Sequence, residues 1–448
     1  MKTFKLKLQI IFWFILVGII TSCTPNESGD NRPNIIYIMV DDMGYADLSI
    51  YGRTEYQTPV LDAFINEGMK FTNAYAGAPV CTPTRVALMT GRYPARNEIG
   101  LREPLRMNAD DINMGLSPSI PTLSSMIKES GYETALFGKW HLGAVPDFFP
   151  SKHGFDQFFG ISGGAADYID HKSFNNELIL YENDLPIEKE GYLTDLITDY
   201  TVDFISKKHD KPFFISLQYT SPHWPWQLPG DDPYPDNVSH LSGGSPEIFA
   251  GMVKNLDTNI GRVLKAIEVA GLKKSTLIIF TSDHGGVQYS DMGPFQGQKL
   301  TLYEGGLRVP AAVRWPDVIT AGSVSSQPVI TMDWTVTMLA ASKAKIPDNL
   351  LFDGINLMSY LEDFKKLTPR KFYWRITNRK RQNAYLDDTL KYLKTAEGEF
   401  LFDISNDPGE TINLKDINTE KFTQLKSDFQ LLDNQMLEPF VLPLEPID

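Results

Sequence analysis

The sequence predicts an α/β protein: a large domain with a mainly parallel sheet sandwiched by helices, then a small C-terminal domain with an antiparallel sheet and a helix. Three observations carry this. Residues 34–40, 213–219 and 277–281 are apolar runs rich in β-branched and aromatic residues, as strands buried on both faces require. Helical patterns alternate with them, which implies crossover connections and parallel pairing. Beyond about residue 330 the texture changes to short strand-like segments at 372–375, 383–386, 391–394 and 400–403, with polar turns between them.

The first strand, 34–40, ends in Asp41-Asp42. Two carboxylates at a buried strand end are costly unless a cation neutralises them; otherwise they are solvated loop acids or a helix cap. Thr58-Pro59 then opens a helix that Gly68 closes, with Leu61, Phe64 and Ile65 as its stripe. Cys81-Thr82-Pro83-Thr84-Arg85 follows a loop and leads into a short apolar helix stopped by Gly91. Pro83 suits a first helical turn. Cys81 therefore lies at a helix N-terminus, where free N–H groups favour an anion. Arg85 lies on the same face one turn later. Taken alone, the pentapeptide fits a buried structural cysteine, a thiolate nucleophile or a modified residue.

Pro121 starts a helix that Gly131 closes, and the strand at 132–137 runs into Gly138-Lys139-Trp140-His141-Leu142-Gly143. An extended backbone there places Lys139 and His141 on one side and Trp140 on the other. Residues 155–170 read as a structured loop over a site, with His153, Asp167, Asp170, His171 and Lys172 in or beside it. A helix at 194–208 precedes the strand at 213–219, which ends in Ser221-Pro222-His223-Trp224-Pro225-Trp226. Trp224 and Trp226 either offer ring faces to a sugar or pack inward. An amphipathic helix at 247–270 and the strand at 277–281 lead to Asp283-His284-Gly285-Gly286, and then to Lys299. Ligands of parallel α/β sheets sit at the carboxyl ends of strands. Four such ends carry Asp41-Asp42, Lys139/His141, His223 and Asp283-His284, and with Cys81 they point to one site. A helix at 420–436 closes the chain.

The 448 residues are 42% hydrophobic and 22% charged, a globular balance, and the net charge of −14 argues against a nucleic-acid partner. Residues 1–23 have a basic start, about 13 apolar residues and a small-residue end at Cys23; that run is short of the ~20 a membrane-spanning helix needs. It resembles a bacterial lipoprotein signal with Cys23 as the lipidated residue, although Ile20 stands where leucine is common. The expectation is an exported lipoprotein, periplasmic or on the outer membrane or surface of a Gram-negative bacterium, touching the membrane through its lipid alone. Residues 24–32 form a tether, 33–345 the catalytic domain and 346–448 the C-terminal subdomain. With Cys23 lipidated, Cys81 is the one thiol left, so it has no intramolecular disulfide partner.

Cys-x-Pro-x-Arg at 81–85, the stretch 131–143, residues 34–44, Lys299 with Tyr303-Glu304-Gly305-Gly306, and Leu401-Phe402-Asp403 with Asp407-Pro408-Gly409-Glu410 together resemble the formylglycine-dependent sulfatases. The resemblance implies an alkaline phosphatase-like fold. It implies that Cys81 becomes formylglycine (3-oxoalanine), whose hydrate attacks sulfur to form a covalent sulfo-enzyme. A formylglycine-generating enzyme is the implied maturation partner. Asp41, Asp42, Asp283 and His284, with residue 81, would hold one divalent cation, calcium by family habit and magnesium as the alternative. Calcium prefers oxygen, so the His284 nitrogen departs from the commoner asparagine. Arg85 would steady the modified residue, and Lys139 and Lys299 would clamp sulfate. His223 would protonate the leaving sugar oxygen, and His141 would assist return of the aldehyde. His171 and Trp224 are added as substrate contacts. The implied substrate is a sulfated glycan, first an algal one such as ulvan or carrageenan, second a glycosaminoglycan. A phosphoric or phosphonic ester hydrolase on this fold and a non-catalytic glycan-binding lipoprotein are the alternatives.

Overall fold

The structure is a computed structural model that describes residues 31–106, 111–235, 243–364, 369–377 and 380–439. The signal segment with Cys23 lies outside the described residues. Seven strands build the main sheet: β1 (Asn34–Val40), β2 (Met69–Tyr75), β3 (Glu133–Gly138), β4 (Gln157–Ile161), β5 (Phe213–Gln218), β6 (Thr276–Ser282) and β7 (Arg308–Arg314). Their order is β2-β7-β6-β1-β5-β3-β4, with shorter segments extending both edges. From β6 to β4 all neighbours run parallel. β7 is antiparallel to both β6 and β2.

Alternate residues of β1 serve different cores, as the two-residue period of a strand demands. Ile36, Ile38 and Val40 pack with Leu61, Phe64 and Ile65 of α1 (Pro59–Asn66), and with helices at Leu193–Ile205 and Pro246–Val269. Ile35, Tyr37 and Met39 pack with α2 (Cys81–Thr90), α3 (Leu123–Glu129) and the helix Thr331–Ala341. The register then sets the site. Val40 pairs with Ser282, Met39 with Gln218, and Gly138 with Gln218. Asp41, Lys139, Tyr219 and Asp283 therefore leave the sheet at one level.

The C-terminal sheet is a meander of β8 (Lys371–Ile376), β9 (Gln382–Asp387), β10 (Leu390–Thr395) and β11 (Gly398–Asp403). The helix Thr419–Asp433 covers it through Phe422, Leu425 and Phe429. The same core includes Tyr75, Ala87, Leu302 and Leu307, so the sheet is packed onto the turn that follows the site. A buried ionic cluster ties the two together: Lys391 of β10 lies 2.9 Å from Glu304 and 2.8 Å from Glu410, and Glu304 also accepts from Arg308 and the Tyr75 hydroxyl.

The α/β expectation holds, with differences that have physical reasons. β2, β4 and β7 go beyond the strands that the sequence predicts, and β4 runs through the stretch expected to be a loop over the site, where its glycine and aromatic content hides a strand pattern. β2 mixes Lys70, Thr72 and Asn73 into its apolar set and carries a register break between Phe71 and Ala74. β7 contains Pro310 and is bounded by two arginines. α3 begins after Thr122 rather than at Pro121, because the Thr122 hydroxyl accepts from Ser125 N and Ser125 answers in a capping box.

Candidate active site

α2 starts at Cys81, with Val80 extended at its N-cap and left-handed Gly91 ending it. Cys81 is 2% exposed and sits among the strand ends. The β3 strand stops at Gly138, whose φ is +114° and where any Cβ would stand 1.8 Å from the Gln218 carbonyl oxygen. Only glycine fits there, and the turn it permits sends Lys139 inward. His141 and Asp42 are themselves in the left-handed region, at φ 57° and 65°. Non-glycine residues hold such backbone only where the surroundings impose it, and such positions cluster at functional sites. Lys139 and His141 thus reach the site through a twisted turn rather than an extended strand, while Trp140 packs against His153 and Phe155.

Lys139 Nζ donates to Asp41 Oδ2 at 2.5 Å, and Lys299 Nζ donates to Asp42 Oδ1 at 2.6 Å. Arg85 donates to the Lys139 carbonyl and to Gln218 Oε1, both at 3.0 Å, which points its NH2 at Asp41 and Asp283, 3.6 Å from each. His223 Nδ1 lies 2.6 Å from the Trp224 carbonyl, so Nδ1 carries the proton and Nε2 faces Asp42 at 3.5 Å. His141 Nε2 bonds the Leu105 carbonyl at 2.9 Å, so the other side of the ring is left for the Cys81 side chain. These side chains are almost wholly buried; that of Lys299, 10% exposed, is the most open.

Charge in so dry a site is strongly perturbed. Burial opposes ionisation of Asp41, but Lys139 above all, then His223, Arg85 and Lys299, hold its pKa well below the usual range. Burial likewise opposes a Cys81 anion. Lys139, Lys299 and the His141 and His284 imidazoles override it and hold the thiol well below its ordinary value. The site is built to carry negative charge at position 81. Burial and the Asp41 charge push Asp283 up to about 7. His284 reaches about 9, because Asp283 overcomes the effect of burial. Burial takes His223 down to about 4, with Asp42 opposing.

The donor set fits a cation. Among the described residues, Asp41 Oδ1, Asp42 Oδ2 and Asp283 Oδ2 are buried and receive no hydrogen bond, and His284 Nε2 makes none beyond its approach to the Cys81 side chain. Asp41, Cys81, Asp283 and His284 each offer an atom within 4.8 Å of the others, and Asp41, Asp42 and His223 form a second such group. His284 Nδ1 bonds the Gly285 carbonyl at 2.9 Å, which fixes the ring with Nε2 toward Asp283, the arrangement usual for a metal-bound histidine.

A sequence profile described as Sulfatase matches residues 33–344. The chain belongs to the sulfatase family. A second profile, described as N-sulphoglucosamine sulphohydrolase, C-terminal, matches residues 295–436 of this sulfatase. The mouse N-acetylgalactosamine-6-sulfatase is 33% identical over 390 residues, covering 82% of this chain and 72% of that one. The human enzyme of the same name is 34% identical over 364 residues, covering 77% and 68%. The solved structure of Ps i-CgsB in complex with k-i-k-neocarrahexaose superposes with a TM-score of 0.82 at 29% identity, covering 92% of this chain and 95% of that one. The protein is a sulfuric ester hydrolase with the alkaline phosphatase-like fold of sulfatases.

Asp41, Asp42, Cys81, Arg85, Lys139, His141, His223, Asp283, His284 and Lys299 all converge in this sulfatase. His171 does not join them. It is 1% exposed and its Nε2 bonds the Gly191 carbonyl, so it anchors a loop rather than meeting substrate. Trp226 packs inward, edge-on to Tyr289. Trp224 stays half-buried with its ring against His223. Sequence reasoning missed Gln218, which aims Arg85. A glutamine closing a largely apolar strand was the available signal. It also missed Tyr168, whose hydroxyl holds the His223 carbonyl at 2.9 Å and which nothing in its aromatic-rich segment singles out.

Proposed function

We propose that this sulfatase removes sulfate from a sulfated polysaccharide or its oligosaccharides, a carrageenan-type algal glycan first and a glycosaminoglycan second. The observation that carries the reaction is the closed cluster of four buried ligand atoms, the anion-stabilising position of Cys81 and the two lysines beside it. The sugar is supported by the relatives. Two are named for N-acetylgalactosamine 6-sulfate, and a structural neighbour holds a neocarrahexaose. A galacto-configured ring is common to both.

Cys81, matured to formylglycine by a formylglycine-generating enzyme, supplies the nucleophilic oxygen in this reading. A divalent cation held by Asp41, Asp42, Asp283 and His284, calcium or magnesium, supplies positive charge to a sulfate oxygen and favours the ionised nucleophile. Lys139 and Lys299 stand ready to turn from Asp41 and Asp42 to sulfate oxygens as charge grows in the transition state. His223 donates from Nε2 to the leaving sugar oxygen. Burial keeps it neutral in the free enzyme, and the negative charge of bound sulfate favours its proton. His141 turns the other side of its ring to residue 81 and takes a proton from it when the aldehyde is restored. Arg85 braces Asp41 and Asp283. Residues 1–23 support export and lipid anchoring at Cys23.

The test is sulfate release from a panel of κ- and ι-neocarra-oligosaccharides, ulvan oligosaccharides and chondroitin oligosaccharides carrying N-acetylgalactosamine 6-sulfate. The protein is co-expressed with a formylglycine-generating enzyme. Release from a galacto-configured member at a kcat/KM at least about tenfold above the ulvan members is expected. Preference for ulvan, or for none of the glycans, refutes the substrate assignment.

A further inference from the structure

Two segments are fastened to the start of α2. Leu105 N donates to the Thr82 hydroxyl at 3.1 Å, and the Leu105 carbonyl bonds His141. Leu300 N, next in the chain after Lys299, donates to the Pro79 carbonyl at 2.8 Å. The β8–β9 hairpin of the C-terminal sheet is tied to both segments. Thr377 N donates to Glu103 Oε2 at 2.8 Å, and Gln382 Oε1 accepts from Leu302 N at 2.7 Å. Ile376 and Gln382 pair across this hairpin, so both of its arms meet the segments that flank Cys81. The hairpin end therefore stands at the rim of the active site.

That rim is basic. Lys380 and Arg381, just before β9, are exposed, and Arg106, just after Leu105, is half-buried. Among the described residues none of these cations enters an ion pair. Acids on the same segments are already engaged: Glu103 with Thr377, and Asp111 with Arg102 and with Arg106 N, both at 3.0 Å. Arg381 also holds left-handed backbone, at φ 40°, which a non-glycine residue keeps only where its surroundings impose it. The chain as a whole carries a net charge of −14. A polyanion is repelled by such a field, so attraction at the mouth of the site has to be local.

We propose that Arg106, Lys380 and Arg381 form a cationic rim that binds a second anionic group of the glycan, a sulfate ester or a uronate carboxylate on a ring flanking the one that loses its sulfate. This rests on the glycan sulfatase reading above and adds to it that the substrate is a polyanion, held by more than the sulfate that is cut. Arginine presents a planar fork that grips sulfate or carboxylate oxygens in pairs, and lysine adds a point charge on a flexible stem. The lysines of the catalytic cluster, Lys139 and Lys299, are paired with Asp41 and Asp42 and belong to the scissile sulfate. A second anion therefore falls to the rim.

The experiment compares a polyanionic hexasaccharide of the panel with a monosulfated monosaccharide of the same sugar. The double variant Lys380→Ala/Arg381→Ala is expected to lower the ratio of their kcat/KM values by about tenfold, mainly through KM for the hexasaccharide, as loss of two exposed charge contacts implies. Adding Arg106→Ala is expected to lower it further. Lys380→Arg/Arg381→Lys, which keeps both charges, is expected to hold the ratio within about threefold of the parent. Added salt should weaken hexasaccharide turnover more in the parent than in the double alanine variant. An unchanged ratio in the alanine variant, or an equal loss on both substrates, overturns the rim. Calorimetric titration of Cys81→Ala with the neocarra- and chondroitin hexasaccharides reads binding without turnover, and so separates failure of the rim from failure of the hydrolase reading. Binding weakened about tenfold by adding the two alanines supports the rim. Weakening with the neocarrahexaoses identifies the second anion as sulfate, and weakening confined to chondroitin identifies it as carboxylate. Equal binding with and without the two alanines, or no binding of any hexasaccharide, overturns the proposal.

Discussion

Replacing Lys391 with methionine tests how the C-terminal sheet holds the catalytic domain. Lys391 is fully buried and is the shared cation of Glu304 and Glu410. The two acids differ in what remains once it is gone. Glu304 keeps Arg308, at 2.6 Å, and the Tyr75 hydroxyl, at 2.9 Å. Among the described residues, Glu410 keeps the Glu304 backbone N–H, at 2.6 Å. The cost therefore falls on Glu410, which without Lys391 must either take up a proton or remain a carboxylate without a counter-charge. Breaking a buried pair from one side costs about 3–5 kcal/mol. Thermal unfolding followed by circular dichroism should place Lys391→Met below the parent by several degrees, about 5–10 °C. Adding Glu410→Gln removes the stranded charge, and the double variant should recover about half of the loss or more. Loss of activity should accompany Lys391→Met as it nears its melting point. Glu304 opens the turn whose Gly306 carbonyl accepts from Gly285 N at 3.1 Å, beside His284. A double variant as unstable as the sum of the two single variants would refute the reasoning.

The same cluster predicts a pH dependence. Burial, with Glu304 adding to it, carries Glu410 up to about 7, whereas Lys391 and Arg308 overcome burial and take Glu304 down to about 2. Stability from Glu304 is lost as pH falls below 4.5 toward 2. That from Glu410 is lost as pH rises from 4.5 through 7, at about 1.4 kcal/mol per unit. Glu410→Gln should flatten the alkaline side of the stability profile, and an unchanged slope counts against this assignment. Gly138→Ala should lower kcat/KM at least about a hundredfold, because its Cβ meets the Gln218 carbonyl oxygen at 1.8 Å and displaces the Lys139 turn; near-parental kinetics would contradict that. Chelation by EDTA should abolish sulfate release and lower the melting temperature, with calcium or magnesium restoring both. Asp283→Asn should bind less metal by elemental analysis, and full metal content would exclude Asp283 from the ligand set.

Much of this was legible in the sequence where one physical requirement dominates. A strand buried on both faces must be a continuous apolar run, so β1, β5 and β6 stand out, and polar residues at their ends must serve a ligand. Where requirements compete, the signal fades. β7 carries Pro310, and β2 alternates irregularly across a register break. Seven of the ten converging residues, Asp41, Asp42, Lys139, His141, His223, Asp283 and His284, are readable because charged and imidazole groups at buried strand ends have few other reasons to be there, whereas Cys81 and Arg85 are read from a helix start and Lys299 from the family resemblance. Distance from the strand ends limits such reasoning. His171 looked like a substrate contact from its composition, yet its ring is consumed by a loop carbonyl.

The most direct measurement is inorganic sulfate released from the glycan panel by the matured protein and by Cys81→Ala, with phosphate esters run in parallel and residue 81 identified by mass spectrometry. Sulfate from a galacto-configured glycan, little or no phosphate, and no product from a folded Cys81→Ala protein is the predicted result. Turnover by Cys81→Ala near that of the parent, or phosphate released faster than sulfate, would contradict an active site organised around residue 81 for sulfate esters.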